Sequence, residues 1–248
     1  MSLLLRNQSV ATRYSGGFVQ SIGSLAGGRQ AARPVDWFYY VNGVQAERGA
    51  AATTVHPGDR IWWDWHDWSQ TDQVPAVVGS FPEPFLNGLE GKRLPIRIEC
   101  GAAATSACNS VAERLRRLGI ATALAAPGSS SGSGTLRVLV GTWARVKGDP
   151  VAASVGQGPR TSGVYGRFAS DGRTFTALDQ DGRAVRTFGP GCGLIAATRQ
   201  AEAPPVWLVT GTDEAGVELA ARSFDAATLQ YRFAVALTST GPLALPAT

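Results

Sequence analysis

The sequence predicts an α+β fold, in which a small β-rich domain is followed by a mixed α/β domain. The pattern of the chain changes: short aromatic segments run up to about residue 80, whereas apolar strands alternate with amphipathic helices beyond residue 93. Between them lies SFPEPFLNGLEG, whose prolines and glycines are typical of a connection. We therefore predict domains at residues 1–80 and 94–248, joined by a linker at residues 81–93.

Three strands and one helix are expected in the first domain. The segments FVQSIGSL, WFYYVNGV and IWWDW have the β-branched and aromatic composition of strands. Asn42-Gly43 forms a turn after the second strand, and HPGD, residues 56–59, forms one before the third. The spacing of apolar residues in SLLLRNQSVATRY predicts a short helix ahead of them.

The second domain is expected to alternate strands with helices. It starts with the strand LPIRIE and the helix SACNSVAERLRRLGI, which Thr105 or Ser106 caps and Gly119 ends. LRVLVG and VWLVTG are continuous apolar runs of the kind found in buried strands. Thr212 or Asp213 caps the helix TDEAGVELAARSF. VYGRF, TFTAL and AVRTF, separated by Asp-Gly turns, predict an inserted antiparallel meander, and LQYRFAVAL is expected to close the sheet.

Charge and hydropathy argue against two classes of partner. The 23 lysines and arginines exceed the 19 acidic residues only slightly, and no basic block is present, so nucleic-acid binding is not expected. No stretch approaches the ~20 apolar residues that span a bilayer, so we expect no membrane span in this chain. MSLLLRNQSV lacks the apolar core and cleavage site of a signal peptide.

Few side chains have the chemistry that catalysis requires. Asp64, His66 and Asp67 could form a metal or acid–base cluster, but strand alternation places only the first two on one face. A zinc site needs at least three ligands. Thr212 and Asp213 could hold an anion at a helix start, although helix caps are the simpler interpretation. We therefore expect a non-enzymatic protein, with no catalytic residue, no metal and no required cofactor.

The three cysteines leave two interpretations open. Cys100 and Cys108 lie close together in CGAAATSAC, while Cys192 stands apart. If the protein works outside the cell, we expect a disulfide between the first two and a free third cysteine. Buried free thiols are the alternative. No histidine accompanies Cys192 in GPGCGLI, so a structural role is expected for it rather than a nucleophilic one.

The segment IWWDWHDW, residues 61–68, holds four of the seven tryptophans of the chain. Alternation divides its side chains between two faces, with Ile61, Trp63 and Trp65 on one and Trp62, Asp64, His66 and Trp68 on the other. The first face is expected to pack against the helix, which leaves Trp63 and Trp65 mostly buried. Because tryptophans interleaved with polar groups do not suit a simple core, we predict that Trp62 and Trp68 are at least partly exposed. Such a face suits a large flat ligand or, equally, a protein interface.

The order of segments in the first domain resembles the small C-terminal domain of the transcobalamin and intrinsic-factor family, which also stands alone in bacterial secreted proteins. The resemblance covers about residues 3–68, and its motifs are Ser21-Ile22-Gly23, Trp37 to Gly43, Gly49-Ala50, Gly58-Asp59 and Ile61 to Trp65. The opening strand of the family and the α-helical barrel of its vertebrate carriers have no counterpart here. The resemblance implies a secreted or cell-surface protein whose first domain closes over one side of a cobalamin.

We therefore expect a non-enzymatic, extracytoplasmic ligand-binding protein, with a corrinoid as its ligand. The expected contact residues are Tyr39, Tyr40, Asn42, Trp62, Asp64, His66 and Trp68. The second domain or a partner protein would cover the open side of the site. Two alternatives remain: a cell-surface module that docks a protein or glycan on the same aromatic patch, and an enzyme acting at the strand ends of the second domain.

Overall fold

A computed structural model describes residues 1–101, 104–128 and 134–248 of the chain. Strands form 35% of the protein and helices 22%, in several sheets, which confirms the α+β class. The strands are β1 (Val10–Arg13), β2 (Phe18–Ile22), β3 (Leu25–Ala26), β4 (Gly28–Gln30), β5 (Arg33–Val41), β6 (Val44–Gln45), β7 (Ile61–Asp67), β8 (Ile96–Cys100), β9 (Ala123–Ala125), β10 (Leu136–Thr142), β11 (Gly166–Phe168), β12 (Phe175–Leu178), β13 (Ala184–Phe188), β14 (Gly193–Thr198), β15 (Val206–Gly211), β16 (Ala234–Thr238) and β17 (Gly241–Leu245). The helices are α1 (Ser2–Asn7), α2 (Thr105–Arg117), α3 (Trp143–Val146), α4 (Pro150–Ala153), α5 (Pro159–Ser162), α6 (Glu214–Arg222) and α7 (Ala226–Leu229).

The central sheet of the α/β part, residues 94–248, contains seven of the described strands in the order β17-β16-β14-β15-β10-β8-β9. Strands β9, β8, β10 and β15 pair in parallel, whereas β14 pairs antiparallel with both β15 and β16, and β16 pairs antiparallel with β17. Every residue of β15 is buried, because the sheet is covered on both faces. β14 was not predicted, and LQYRFAVAL does not close the sheet, since β17 pairs beyond β16 at the edge.

Helices and a second sheet cover the two faces of the central sheet. On one face α2 and α6 pack through Val111, Leu115 and Val217 into the main core. The other face meets α3, α4 and the β11-β12-β13 meander, whose antiparallel pairing was predicted. Asp213 caps α6, as expected. Ala104, rather than Thr105 or Ser106, occupies the N-cap position of α2, so that prediction is wrong.

The N-terminal part, residues 1–80, is built around β5 and β7, which pair antiparallel from Val35–Asp67 to Val41–Ile61. The predicted first helix is shorter than expected: α1 ends at Asn7, and the rest of the segment forms β1, which pairs with β2. The helix stops early because β-branched residues at Val10 and Thr12 favour the extended chain. None of the helices in the described ranges has the length and apolar character needed to cross a bilayer.

The connection at residues 81–93 is not a solvent-exposed tether. Phe81 and Phe85 are buried, and their rings lie 6.3 Å and 4.8 Å from that of Trp207 in the main core. Both also contact the ring of Phe224, which follows α6. The prolines interrupt regular structure here, as the sequence indicates, but the phenylalanines between them belong to the core. The division of the chain into two domains stays a prediction.

The two-residue turn between β4 and β5 generates a prediction on stability. Ala31 and Ala32 have φ values of +47° and +67°, the left-handed conformation of a type I′ turn, which Asn-Gly adopts more readily. Left-handed geometry costs an L-residue roughly 1–2 kcal/mol. The double substitution Ala31→Asn and Ala32→Gly should therefore raise the free energy of unfolding by about 1–2 kcal/mol. Urea titration followed by circular dichroism measures this, and an unchanged or lower midpoint would contradict the assignment of strain.

Candidate functional site

The pairing of β5 with β7 forms a two-stranded unit, which we call the aromatic ribbon. Its register confirms the predicted alternation, because Tyr40 lies opposite Trp62 and Tyr39 opposite Trp63. The inner face, towards the α/β part, carries Asp36, Phe38, Tyr40, Trp62, Asp64 and His66. The outer face carries Trp37, Tyr39, Val41, Ile61, Trp63 and Trp65.

The inner face is covered by the α/β part. The ring of Phe233, just before β16, lies 5.7 Å from that of Trp62, 6.1 Å from Tyr40 and 5.5 Å from His66. Tyr40 is fully buried and His66 nearly so. Burial, and secondarily the charge of Asp64, raises the pKa of Tyr40 well above its usual value. The expectation that this face is open to a ligand is therefore wrong, since a core contact occupies it.

Some polar groups of the inner face pair with one another, whereas the Tyr40 hydroxyl and His66 Nε2 are buried without a hydrogen-bond partner. His66 Nδ1 lies 2.6 Å from Asp64 Oδ2, and Trp68 Nε1 donates to Asp36 Oδ2 at 3.0 Å. Asp67 is on the opposite face, as alternation predicts, and its Oδ2 accepts one hydrogen bond from Arg33 Nη1 at 2.6 Å. Within the described ranges, no group of three His, Cys, Asp or Glu side chains converges to hold a metal ion. Asp64 and His66 therefore form a hydrogen-bonded pair.

Asn42 stabilises a loop and has no amide atom left for a ligand. It lies at the left-handed turn after β5, with φ of +52°, and is fully buried. Its Nδ2 donates to Asp59 Oδ1 at 2.7 Å and to the carbonyl of Gly88 at 2.8 Å, while its Oδ1 accepts from the amide of Arg60 at 2.8 Å. The prediction that Asn42 contacts the ligand is wrong for this reason.

The tryptophans of the ribbon do not divide as predicted. Trp62, Trp63 and Trp65 are all partly buried, so exposure does not separate the two faces. Only Trp68, at 36%, is clearly exposed. The two faces differ instead in what lies against them, because Trp62 packs on the core of the α/β part and Trp63 borders open space.

The outer face is held in place at its rim and left open at its centre. Trp37 and Trp65 donate from Nε1 to the carbonyls of Leu25 and Ala26, at 3.0 Å and 3.1 Å, so β3 lies over them. At the centre, the rings of Tyr39 and Trp63 stack with centroids 4.7 Å apart and planes inclined by 26°. These two rings form a partly exposed aromatic floor.

A cleft of about 430 Å³, which we call the outer cleft, lies between this floor and α1. Its walls are Met1 and all residues of α1 except Leu5, the segment containing Ala50, Ala51, Thr53 and Val55, and the outer-face side chains Tyr39, Val41, Ile61 and Trp63. A smaller hollow of about 130 Å³ shares Tyr39, Ala50 and Trp63 with it. The helix was expected to pack on this face, but α1 contains no buried residue and does not fill the space.

The position of Tyr39 within the cleft is fixed by hydrogen bonds. Its hydroxyl lies 2.5 Å from the carbonyl oxygen of Arg48, to which it donates, and 2.6 Å from Thr53 Oγ1. Partial burial raises the pKa of Tyr39, although the hydrogen bond with Thr53 opposes this change. Of the seven predicted contact residues, Tyr39 is the one that lines the outer cleft. Trp63 and Ile61 were missed, and the signal for them is the run GAAATT, whose small side chains leave space opposite large rings.

The end of strand β15 is occupied by the hydrogen bonds of Thr212 and Asp213. Thr212 Oγ1 donates to the carbonyl of Gly189 at 3.0 Å and accepts from the amide of Cys192 at 3.1 Å. Asp213 accepts from the amides of Gly191 and Gly216 at 2.9 Å and 2.8 Å. The simpler interpretation is therefore confirmed for Asp213, which caps α6, whereas the hydroxyl of Thr212 binds the loop before β14 and no amide of the helix.

The cysteines form one disulfide and leave one free thiol. Cys100 and Cys108 form a disulfide, with Cα atoms 6.2 Å apart. Cys192 is free and buried. Burial, and secondarily the charge of Asp213, raises the pKa of its thiol to about 12. Cys192 is thus protonated at neutral pH, which agrees with a structural role.

Because the α/β part packs on the inner face, we predict different contributions to stability from Trp62 and Trp68. Trp62→Ala should lower the free energy of unfolding by about 3 kcal/mol, because it removes a ring packed on Phe233. Trp68→Ala should lower the free energy of unfolding by about 1 kcal/mol or less, because the ring is exposed and its removal breaks one hydrogen bond. Urea unfolding monitored by circular dichroism compares the two, and an equal effect would show that the inner face is not a core contact.

The cysteine arrangement predicts the outcome of thiol labelling. Without reductant, the native protein should react with no equivalent of iodoacetamide at neutral pH, and the denatured protein with one. The buried thiol is protonated and shielded when folded, and the other two are oxidised. Mass spectrometry counts the adducts; three adducts after denaturation would reject the disulfide.

The comparison with known families bears on the N-terminal part only. No curated protein matches the chain. Residues 1–67, which include the aromatic ribbon, α1 and the outer cleft between them, match the family model described as a domain of unknown function, DUF4430.

Proposed function

We propose that this is a non-enzymatic ligand-binding protein whose ligand lies in the outer cleft against Trp63 and Tyr39. The observation that carries the proposal is a stacked aromatic pair, partly exposed, at the floor of a cleft of about 430 Å³. Small-molecule sites commonly have volumes of ~300–1,000 Å³ and walls that are mostly apolar or aromatic, with few polar groups. The outer cleft has such a volume, and most of its lining residues are apolar or aromatic, the polar ones being Ser2, Arg6, Asn7 and Thr53.

A corrinoid is the specific ligand that we propose. The resemblance of residues 3–68 to the transcobalamin C-terminal domain supports it, and DUF4430 is associated with transcobalamin-like domains. A flat macrocycle can stack on Trp63, as aromatic and apolar planes commonly do. The cleft encloses only part of so large a molecule, so we expect an affinity on the order of micromolar unless a partner covers the rest.

An extracytoplasmic location forms part of the proposal. Disulfides persist in oxidising compartments and are rare where thiols are kept reduced. The Cys100–Cys108 bond supports a position outside the cytoplasm. It also closes the start of α2 onto β8, the strand to which Cys100 belongs.

A docking module for another protein is the second candidate. Among the described residues, exposed large apolar side chains are concentrated in the N-terminal part, where they are Leu3, Leu5, Tyr14, Phe18, Leu25, Val55 and Trp68. Exposed apolar surface of this kind marks interaction sites. A docking module would not take up a small ligand in the cleft, so one experiment separates the two candidates.

Two adjacent alanines provide a matched pair for this experiment. Ala51 and Ala52 are both exposed, but only Ala51 lines the outer cleft. Ala51→Phe should fill the cleft and weaken cobalamin binding by about ten-fold or more, whereas Ala52→Phe should leave it within about two-fold. Equilibrium dialysis with cyanocobalamin, detected by its absorbance, measures both.

The result is interpreted with a second, neutral probe, N-phenyl-1-naphthylamine. If cobalamin does not bind but Ala51→Phe still reduces binding of the neutral probe, the cleft is a ligand site and the corrinoid assignment is wrong. If the native protein binds neither compound, or Ala51→Phe changes neither, the ligand-binding proposal fails.

A further inference from the structure

The outer cleft and the adjoining hollow have charged side chains of one sign. Of the side chains that line them, those with a formal charge are Arg6 in the cleft and Arg48 in the hollow. No aspartate or glutamate of the described residues lines either space. The remaining lining is apolar, aromatic or uncharged polar.

Neither arginine is neutralised by a neighbour. In the described part of the chain, Arg6 and Arg48 take part in no ion pair, whereas Arg33 is paired with Asp67 and Asp181. Glu47, the acidic residue next to Arg48 in sequence, is paired with Arg199 of the α/β part. The charged side chains that line the cleft and the hollow are therefore both positive and unpaired among the described residues.

Two arginines beside an apolar floor favour ligands that carry an acidic group. Guanidinium groups bind carboxylates, sulfonates and phosphates through paired N–H donors. The low-polarity wall formed by Trp63 and Tyr39 strengthens this attraction relative to open water. A ligand with an apolar body alone would contact Trp63 and Tyr39 but would leave the guanidinium groups of Arg6 and Arg48 without an anionic partner.

We propose that the outer cleft is selective for amphipathic anions, compounds in which a flat apolar body carries an acidic group. The body lies on Trp63 and Tyr39, and the acidic group pairs with Arg6 or Arg48. The inference rests on the proposed function, because it defines the class of ligand that the same cleft binds; in a cobalamin, the phosphodiester of the nucleotide loop would be the acidic group. It extends that function by making affinity depend on salt and on these two guanidinium groups.

Two fluorescent probes that share one apolar body test the selectivity. 1-Anilinonaphthalene-8-sulfonate carries a negative charge, and N-phenyl-1-naphthylamine is neutral. The double substitution Arg6→Gln and Arg48→Gln should weaken binding of the anionic probe about five-fold and leave the neutral probe within about two-fold. Raising the salt concentration should weaken the binding of the anionic probe and leave the binding of the neutral probe unchanged.

Arg173→Gln is the control for a general loss of positive charge. Arg173 is exposed, lies in the turn between β11 and β12, and lines neither space. The substitution Arg173→Gln should change the affinity for neither probe. All three arginines are exposed, so the variants should fold, and thermal unfolding checks this.

Each other outcome is decisive. If Ala51→Phe blocks both probes but the arginine variants affect them equally or not at all, the selectivity for anions is wrong and the ligand cleft stands. An effect of Arg173→Gln as large as that of the double variant also overturns the inference. If Ala51→Phe changes neither probe, the proposed function fails and the inference with it.

Discussion

The contact between the inner face of the aromatic ribbon and Phe233 determines which surface of the N-terminal part is free. Side chains alternate with period two along a strand, so burial of Tyr40 and Trp62 on one face places Tyr39 and Trp63 on the other. A shift of one residue in the β5–β7 register would reverse the faces. Burying each large ring stabilises the fold by roughly 1.5–3 kcal/mol, enough to fix the register. The outer cleft exists because this register places Tyr39 and Trp63 on the face that the α/β part does not cover.

Polar contacts around this interface orient the two parts without providing much of the energy. The guanidinium of Arg33 bridges Asp67 and Asp181, and Gln180 Nε2 donates to the carbonyl of Asp67 at 2.6 Å. A backbone hydrogen bond lies beside them, donated by the amide of Val78 to the carbonyl of Phe233 at 3.1 Å. Exposed ion pairs contribute little individually. Their directional geometry nevertheless excludes other orientations of the ribbon against the sheet.

The sequence predicted elements whose signal is local and left open those that depend on distant partners. β10, apart from Arg137, and β15 are mostly apolar runs, and Asp213 caps α6 through the neighbouring amide of Gly216, so short windows contain the evidence. β14, with the sequence GLIAAT, was missed because glycine and alanine give a weak strand signal. The face of IWWDWHDW that becomes buried could not be predicted, since both faces carry tryptophan and the deciding residue, Phe233, is far away in the chain.

The absence of buried residues in α1 gives the two walls of the cleft different mechanical properties. The floor is part of a ladder whose reverse side is packed against the α/β part, so its rings are preorganised and lose little conformational entropy on binding. The helix opposite is attached through few apolar contacts and can adjust at low cost. Shape discrimination should therefore arise from the floor, whereas the rates of ligand entry and escape should be governed by the helix.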